Sequence, residues 1–179
     1  GDFLYGDAPT NFTLNTSAYA TDKPFDFELA LQPIEKLPQA IVKGSYAPDG
    51  EIKLELSSRE GKLASLLLPV FTDWKDIFAA SPVFAENSEV QAVVERDAQK
   101  IWRVSSFSLK QGKGTLKGSL DFSGGMVVSV DAANLNLGNP VLPPVPVGFV
   151  IKGNTISFAG RNFNSVEIEG AFERPLQNQ

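Results

Sequence analysis

The stretch "GTLKGSLDFSGGMVVSVDAANLNL", residues 114–137, alternates apolar and polar side chains, breaks at Gly124-Gly125, and alternates again. A period of two puts successive side chains on opposite faces of an extended strand, so it commits these residues to a half-covered sheet. An earlier stretch, "IVKGSYAPDGEIKLELSS" at 41–58, has the same rhythm and the same triplet, Lys43-Gly44-Ser45 against Lys117-Gly118-Ser119. Aligned on that triplet, Leu54 and Leu56 fall on Val128 and Val130. Asp49-Gly50 and Gly124-Gly125 stand where a tight hairpin needs positive φ, which glycine adopts without steric penalty. Both copies therefore read as β-hairpins. Ile52, Leu54 and Leu56 share one face in the first, and Leu116, Leu120, Phe122, Met126, Val128 and Val130 share one face in the second. A shorter echo, "VEIEGAFE", places Ile168, Gly170 and Phe172 in the same pattern.

Alternation also predicts strands over 10–20, 25–31, 89–96, 101–109, 145–151, 155–159 and 166–173, separated by turn signals such as "DKP", "KGN" and "GRNFN". One segment departs from this period. From Leu63, the apolar residues Leu66, Leu67, Val70, Phe71, Trp74, Ile77 and Phe78 recur at helical spacing, with Ser57 or Ser58 as candidate cap. Pro69 lies inside this run, so two short helical pieces are expected. The proline-rich "PVLPPVPVG", 140–148, reads as an extended connection or edge. The fold class is mainly β: one β-rich domain over 1–179, a curved antiparallel sheet of hairpins forming a repeating groove, with a helical insertion near 62–80. A β-sandwich is the alternative. The chain begins without an initiating Met or an apolar leader and reads as an excised segment of a longer protein.

Composition narrows the chemistry. The chain has no cysteine and no histidine, which removes thiolate and imidazole metal sites, cysteine nucleophiles and any Ser-His-Asp arrangement. A net charge of −5 argues against binding to nucleic-acid phosphates. "GKGTLKG", 112–118, looks like a phosphate-binding loop, but Phe107 stands where the first glycine of that motif belongs and strand alternation continues where a helix should begin. Asp73, Asp76, Glu86 and Glu89 are the candidate carboxylates for hydrolysis, and nothing in the sequence brings a pair of them across a cleft. "NFT" and "NTS", at 11–13 and 15–17, are glycosylation sequons that matter only in a secreted eukaryotic protein. No cofactor is expected. The strand faces carry the sharper hypothesis: at roughly 0.8 kcal/mol per buried CH₂, a twelve-carbon chain on aliphatic side chains gains about 10 kcal/mol before entropic costs.

The run from "AIVKGSYAPDGEIKLELSSREGKLASLLLPVF" through "VFAENSEVQAVVERDAQKIWRVSSFSLKQGKGTLKGSLDFSGGMVVSVDAANLNL" resembles the AsmA-like family of bacterial envelope proteins. What carries the resemblance is the order of a strand hairpin, a helical turn of the "L..LL" type, a short loop and a glycine-punctuated hairpin, over about residues 25–137. The resemblance implies a non-enzymatic periplasmic segment, tethered to the inner membrane by an N-terminal helix, with a hydrophobic groove used in phospholipid transport or outer-membrane biogenesis. Phospholipid, or another ligand with an acyl chain, and other envelope proteins are the implied partners. By this resemblance the groove-facing class of residue maps onto Ile52, Leu54, Leu56, Leu116, Leu120, Phe122, Met126, Val128 and Val130. Leu66, Leu67, Phe71, Trp74 and Phe78 form a candidate cap over it. The rival reading is a binding or adhesion module that recognises a glycan or protein at its loops.

Overall fold

In the computed structural model the described residues are 2–5, 8–18, 20–33, 39–62, 64, 72–139, 143 and 145–172. Nine strands follow one another as an antiparallel meander: β1 (Asp2–Tyr5), β2 (Ala8–Thr16), β3 (Phe25–Pro33), β4 (Gln39–Tyr46), β5 (Ile52–Lys62), β6 (Asn87–Arg96), β7 (Trp102–Gln111), β8 (Gly114–Asp121) and β9 (Met126–Ala133). β10 (Val147–Asn154) then lies parallel to β9, and β13 (Val166–Phe172) pairs antiparallel with β10 to end an eleven-stranded sheet. Between them, β11 (Ile156–Phe158) and β12 (Arg161–Phe163) form a separate hairpin. The sheet is open, with β1 and β13 as its edges, and among the described residues no second large sheet faces it. The sandwich alternative is not what the chain adopts.

The two predicted hairpin turns form as expected, with positive φ at Gly50 and Gly125. Asp121 organises the second: its carboxylate accepts the Ser123 amide at 2.7 Å. That amide, and then the Ser123 hydroxyl, hold the Asp121 carboxyl below its ordinary value. A lowered folded-state value stabilises the chain above the unfolded carboxylate range and loses that stabilisation as the pH falls through the lower value. Asp121→Asn should therefore flatten the dependence of melting temperature on pH below about pH 4, where carboxylates ordinarily titrate. Melts at a series of acid pH values check this, and an unchanged slope refutes it.

Three expectations need correction. Ser57 and Ser58 cap no helix, because β5 runs on to Lys62, paired with β6 across a bulge between Ser58 and Gly61. Among the described residues the helical segment expected near 62–80 comprises a 3₁₀ turn at Thr72–Trp74, α1 (Lys75–Ala80) and, just past its end, α2 (Pro82–Ala85), while Pro69, the expected break, lies outside the described residues. The Ser81-Pro82 step separates the two helices, since proline fits a first turn but cannot supply an amide to a continuing helix. The meander also fails at β10, which lies parallel to β9 instead of antiparallel. Finally, β12 forms inside "GRNFN", which reads as a turn, because Ala159 and Gly160 both take positive φ and close a two-residue hairpin just before it.

The buried core lies at one margin of the sheet. Leu109, Ala132, Val83 of α2, Leu135 and Ile156 form one cluster, with Val90, Leu116, Leu137, Phe163 and Val166 packed around it. Strands β6 to β9 and β13 supply the floor, and α2, the 134–137 segment and the β11–β12 hairpin supply the roof. Ser157 donates to the Leu135 carbonyl at 2.9 Å and accepts the Leu137 amide at 2.8 Å, which ties the two parts of the roof together. Close approach depends on missing side chains in the floor: a Cβ at Gly114 would run into Leu135, and one at Gly153 would lie 2.9 Å from Ile156. Beyond this margin no second sheet faces the strands among the described residues. The chain exposes 11827 Å² of surface at 19.3 kDa, against about 8,500 Å² expected of a compact monomer of that mass.

Candidate functional site: an open apolar face

Strand register decides which side chains share a face. From β2 to β13 the paired residues fall into rows running across the strands, and on one face these rows are apolar. One row passes from Leu14 through Leu29, Val42, Leu56 and Ala92 to Phe107; it continues through Gly118, Val130 and Ile151 to Ile168. Ten strands at about 4.8 Å spacing make this row roughly 43 Å long. The adjacent row contains Phe27, Gly44, Leu54, Val94, Val104, Leu120, Val128, Phe149 and Gly170. Every described residue of these two rows lies outside the buried class, and Leu14, Leu56 and Ile168 are 53%, 36% and 47% exposed.

The structure brings the sequence-predicted residues together on this face. Ile52, Leu54, Leu56, Leu116, Leu120, Met126, Val128 and Val130 share it by register, and Phe122 follows directly after β8 with 43% of its surface exposed. Leu116 belongs to the closed margin, where it packs on the core cluster. Of the candidate cap, Leu66, Leu67 and Phe71 lie outside the described residues. Trp74 is half-buried in the 3₁₀ turn, and Phe78 is buried with its ring 5.0 Å from that of Phe84. Among the described residues the helical segment meets the core cluster through Val83.

The repeated triplets acquire a physical meaning here. Gly44, Gly118 and Gly170 each pair directly with a phenylalanine on the neighbouring strand, Phe27, Phe107 and Phe149 respectively. In each pair the ring lies where a Cβ on the glycine would be. An aromatic ring folded over a bare backbone covers its peptide groups and keeps the row continuous. Sequence reasoning missed these phenylalanines because each stands a strand away from its glycine.

The opposite face is polar and internally neutralised. Lys43 pairs with Glu28 at 3.2 Å, Arg103 with Glu95 at 3.3 Å and Lys152 with Glu167 at 3.0 Å, each pair spanning two strands. Within β5, the hydrogen bond that Lys53 donates to Glu55, the charge of Glu55 and then that of Glu95 raise Lys53 above its ordinary value. Such exposed pairs contribute little stability, but they oppose the one-residue slip that would turn the charges onto the apolar side. Two concavities of about 570 and 490 Å³ open on this polar face, among side chains such as Lys43, Glu55, Gln91 and Ser108. The apolar side is accordingly a broad shelf with a wall along one margin. Among the described residues no group of three or more acidic side chains is placed to hold a metal ion, and no helix is long and apolar enough to cross a membrane. No protein-family model, no curated protein and no solved structure matches the chain.

Proposed function

We propose that this chain is a lipid-handling segment of a bacterial envelope protein of the AsmA-like kind, in which the apolar shelf carries acyl chains. One observation carries the reading: aliphatic and aromatic side chains continue across ten strands on one face, and among the described residues no second sheet lies over them. Water-soluble monomers rarely leave an apolar surface of this extent uncovered, so such a surface marks a binding site. Its occupant must be apolar, extended and indifferent to directional bonding, because the rows offer no backbone donors or acceptors of their own. An acyl chain has these properties. In this reading the protein works in the periplasm, tethered to the inner membrane by a helix outside this chain, and its partners are phospholipids and other envelope proteins. It carries lipid or supports outer-membrane assembly, and needs neither a catalytic residue nor a cofactor.

Purification from a bacterial host without detergent, followed by organic extraction and mass spectrometry, tests this. Phospholipid retained at near one molecule or more per chain is the expected result. A lipid-free protein that sediments as a dimer and takes up no phospholipid from vesicles would show that the shelf is instead sealed by a second copy.

A further inference from the structure

We propose that Arg96 is a headgroup site at the open margin of the shelf, taking the carboxylate or phosphate of an anionic amphiphile whose tail lies on the aliphatic rows. This rests on the acyl-chain reading above and names its ligand class. Register places Arg96 between Ile52 and Trp102, on the apolar face. Among the described strand residues from β2 to β13 it is the one charged side chain at a position on that face.

A charge among apolar side chains is costly unless it is partnered, and Arg96 is only partly so. Its Nη2 donates to the Gly50 carbonyl at 2.8 Å, and its guanidinium carbon lies 5.7 Å from the centre of the Trp102 ring. The buried Nε has no hydrogen-bond partner. No carboxylate among the described residues lies within ion-pair distance of it. The acids of the nearby turns are engaged locally: Asp49 accepts the Glu51 amide at 3.1 Å, and Asp97 accepts the Ile101 amide at 3.0 Å. Arginine has five donors in a planar fork that matches the oxygen pairs of carboxylates and phosphates, and most of that capacity is unused here.

The position suits a head and a tail. Val90, at the walled margin, lies six residues along β6 from Arg96, roughly 20 Å at strand rise. Tyr46 and Trp102, 43% and 40% exposed, stand in the same row as Arg96 and offer an apolar body with a polar tip, as rings at an interface do. A ligand anchored at Arg96 thus has its anion at the wet margin and apolar side chains toward the wall.

Three amphiphiles with one twelve-carbon tail test the site: dodecanoate, dodecyl phosphate and dodecanol, titrated calorimetrically into the delipidated chain. The expected result is that both anions bind on the order of tenfold or more tighter than the alcohol, as charge-assisted hydrogen bonds imply. Arg96→Gln should erase that preference, while Arg96→Lys should keep part of it. A preference for one anion alone would assign the site to that headgroup. Equal binding of all three by the parent chain overturns the Arg96 site and leaves the acyl-chain reading standing, and so does a preference that survives Arg96→Gln. Binding of none of the three overturns the acyl-chain reading itself. The parent-chain comparison decides the question even where the glutamine variant fails to fold.

Discussion

Gly118→Val is expected to destabilise the chain by roughly 2–3 kcal/mol, the upper part of the range for forcing extra bulk into a packed site. The new side chain must enter space held by the Phe107 ring, and its Cβ also meets the backbone carbonyl of Ser129. Neither can move freely, because β8 is bonded on both sides, to β7 and β9. For a domain of this size the loss corresponds to a melting temperature lower by about 4–12 °C. Phe107→Ala should cost less in the Gly118→Val background than in the parent chain, since the valine would then occupy space the ring vacates. A double-mutant cycle measures this, and strict additivity would mean that the ring and the glycine are not coupled.

Leu56→Asp is expected to reduce retained phospholipid at least tenfold with little change in melting temperature. The two effects separate because Leu56 lies mid-shelf between Val42 and Ala92 yet already exposes 36% of its surface. A carboxylate there is tolerated by water but not under an acyl chain, where desolvating it costs several kcal/mol. Gln91→Asp, one residue from Ala92 and on the polar face, is the control and should keep its lipid. Lipid phosphorus per chain gives the readout. Equal loss in both variants, or loss in neither, would sever lipid retention from this face.

Much of this architecture is legible in the residues themselves. The alternation of Ile52, Leu54 and Leu56, and of Leu116 and Leu120 with Met126, Val128 and Val130, places these residues on one face without reference to any partner strand. The turns at Gly50 and Gly125 follow from the need for positive φ. Helical spacing from Leu63 correctly indicates a departure from the sheet, since β5 ends at Lys62, but the cap expected at Ser57 or Ser58 lies inside that strand, because pairing with β6 extends it. Ser57 and Ser58 illustrate the competition: a serine that suits a helix cap is equally at home in a strand once a neighbour supplies the ladder.

What the sequence determined by itself is the division into strands and the apolar and polar sides of each, since both depend on a two-residue period and on turn chemistry that act locally. Tertiary structure alone decided that β10 lies parallel to β9, that three phenylalanines cover three glycines, that Arg96 meets Trp102 and the Gly50 carbonyl, and that α2 and the β11–β12 hairpin roof one margin of the sheet. Those outcomes depend on contacts between residues far apart in the chain, and a side chain's own period carries no information about which strand will lie beside it or whether anything will lie above.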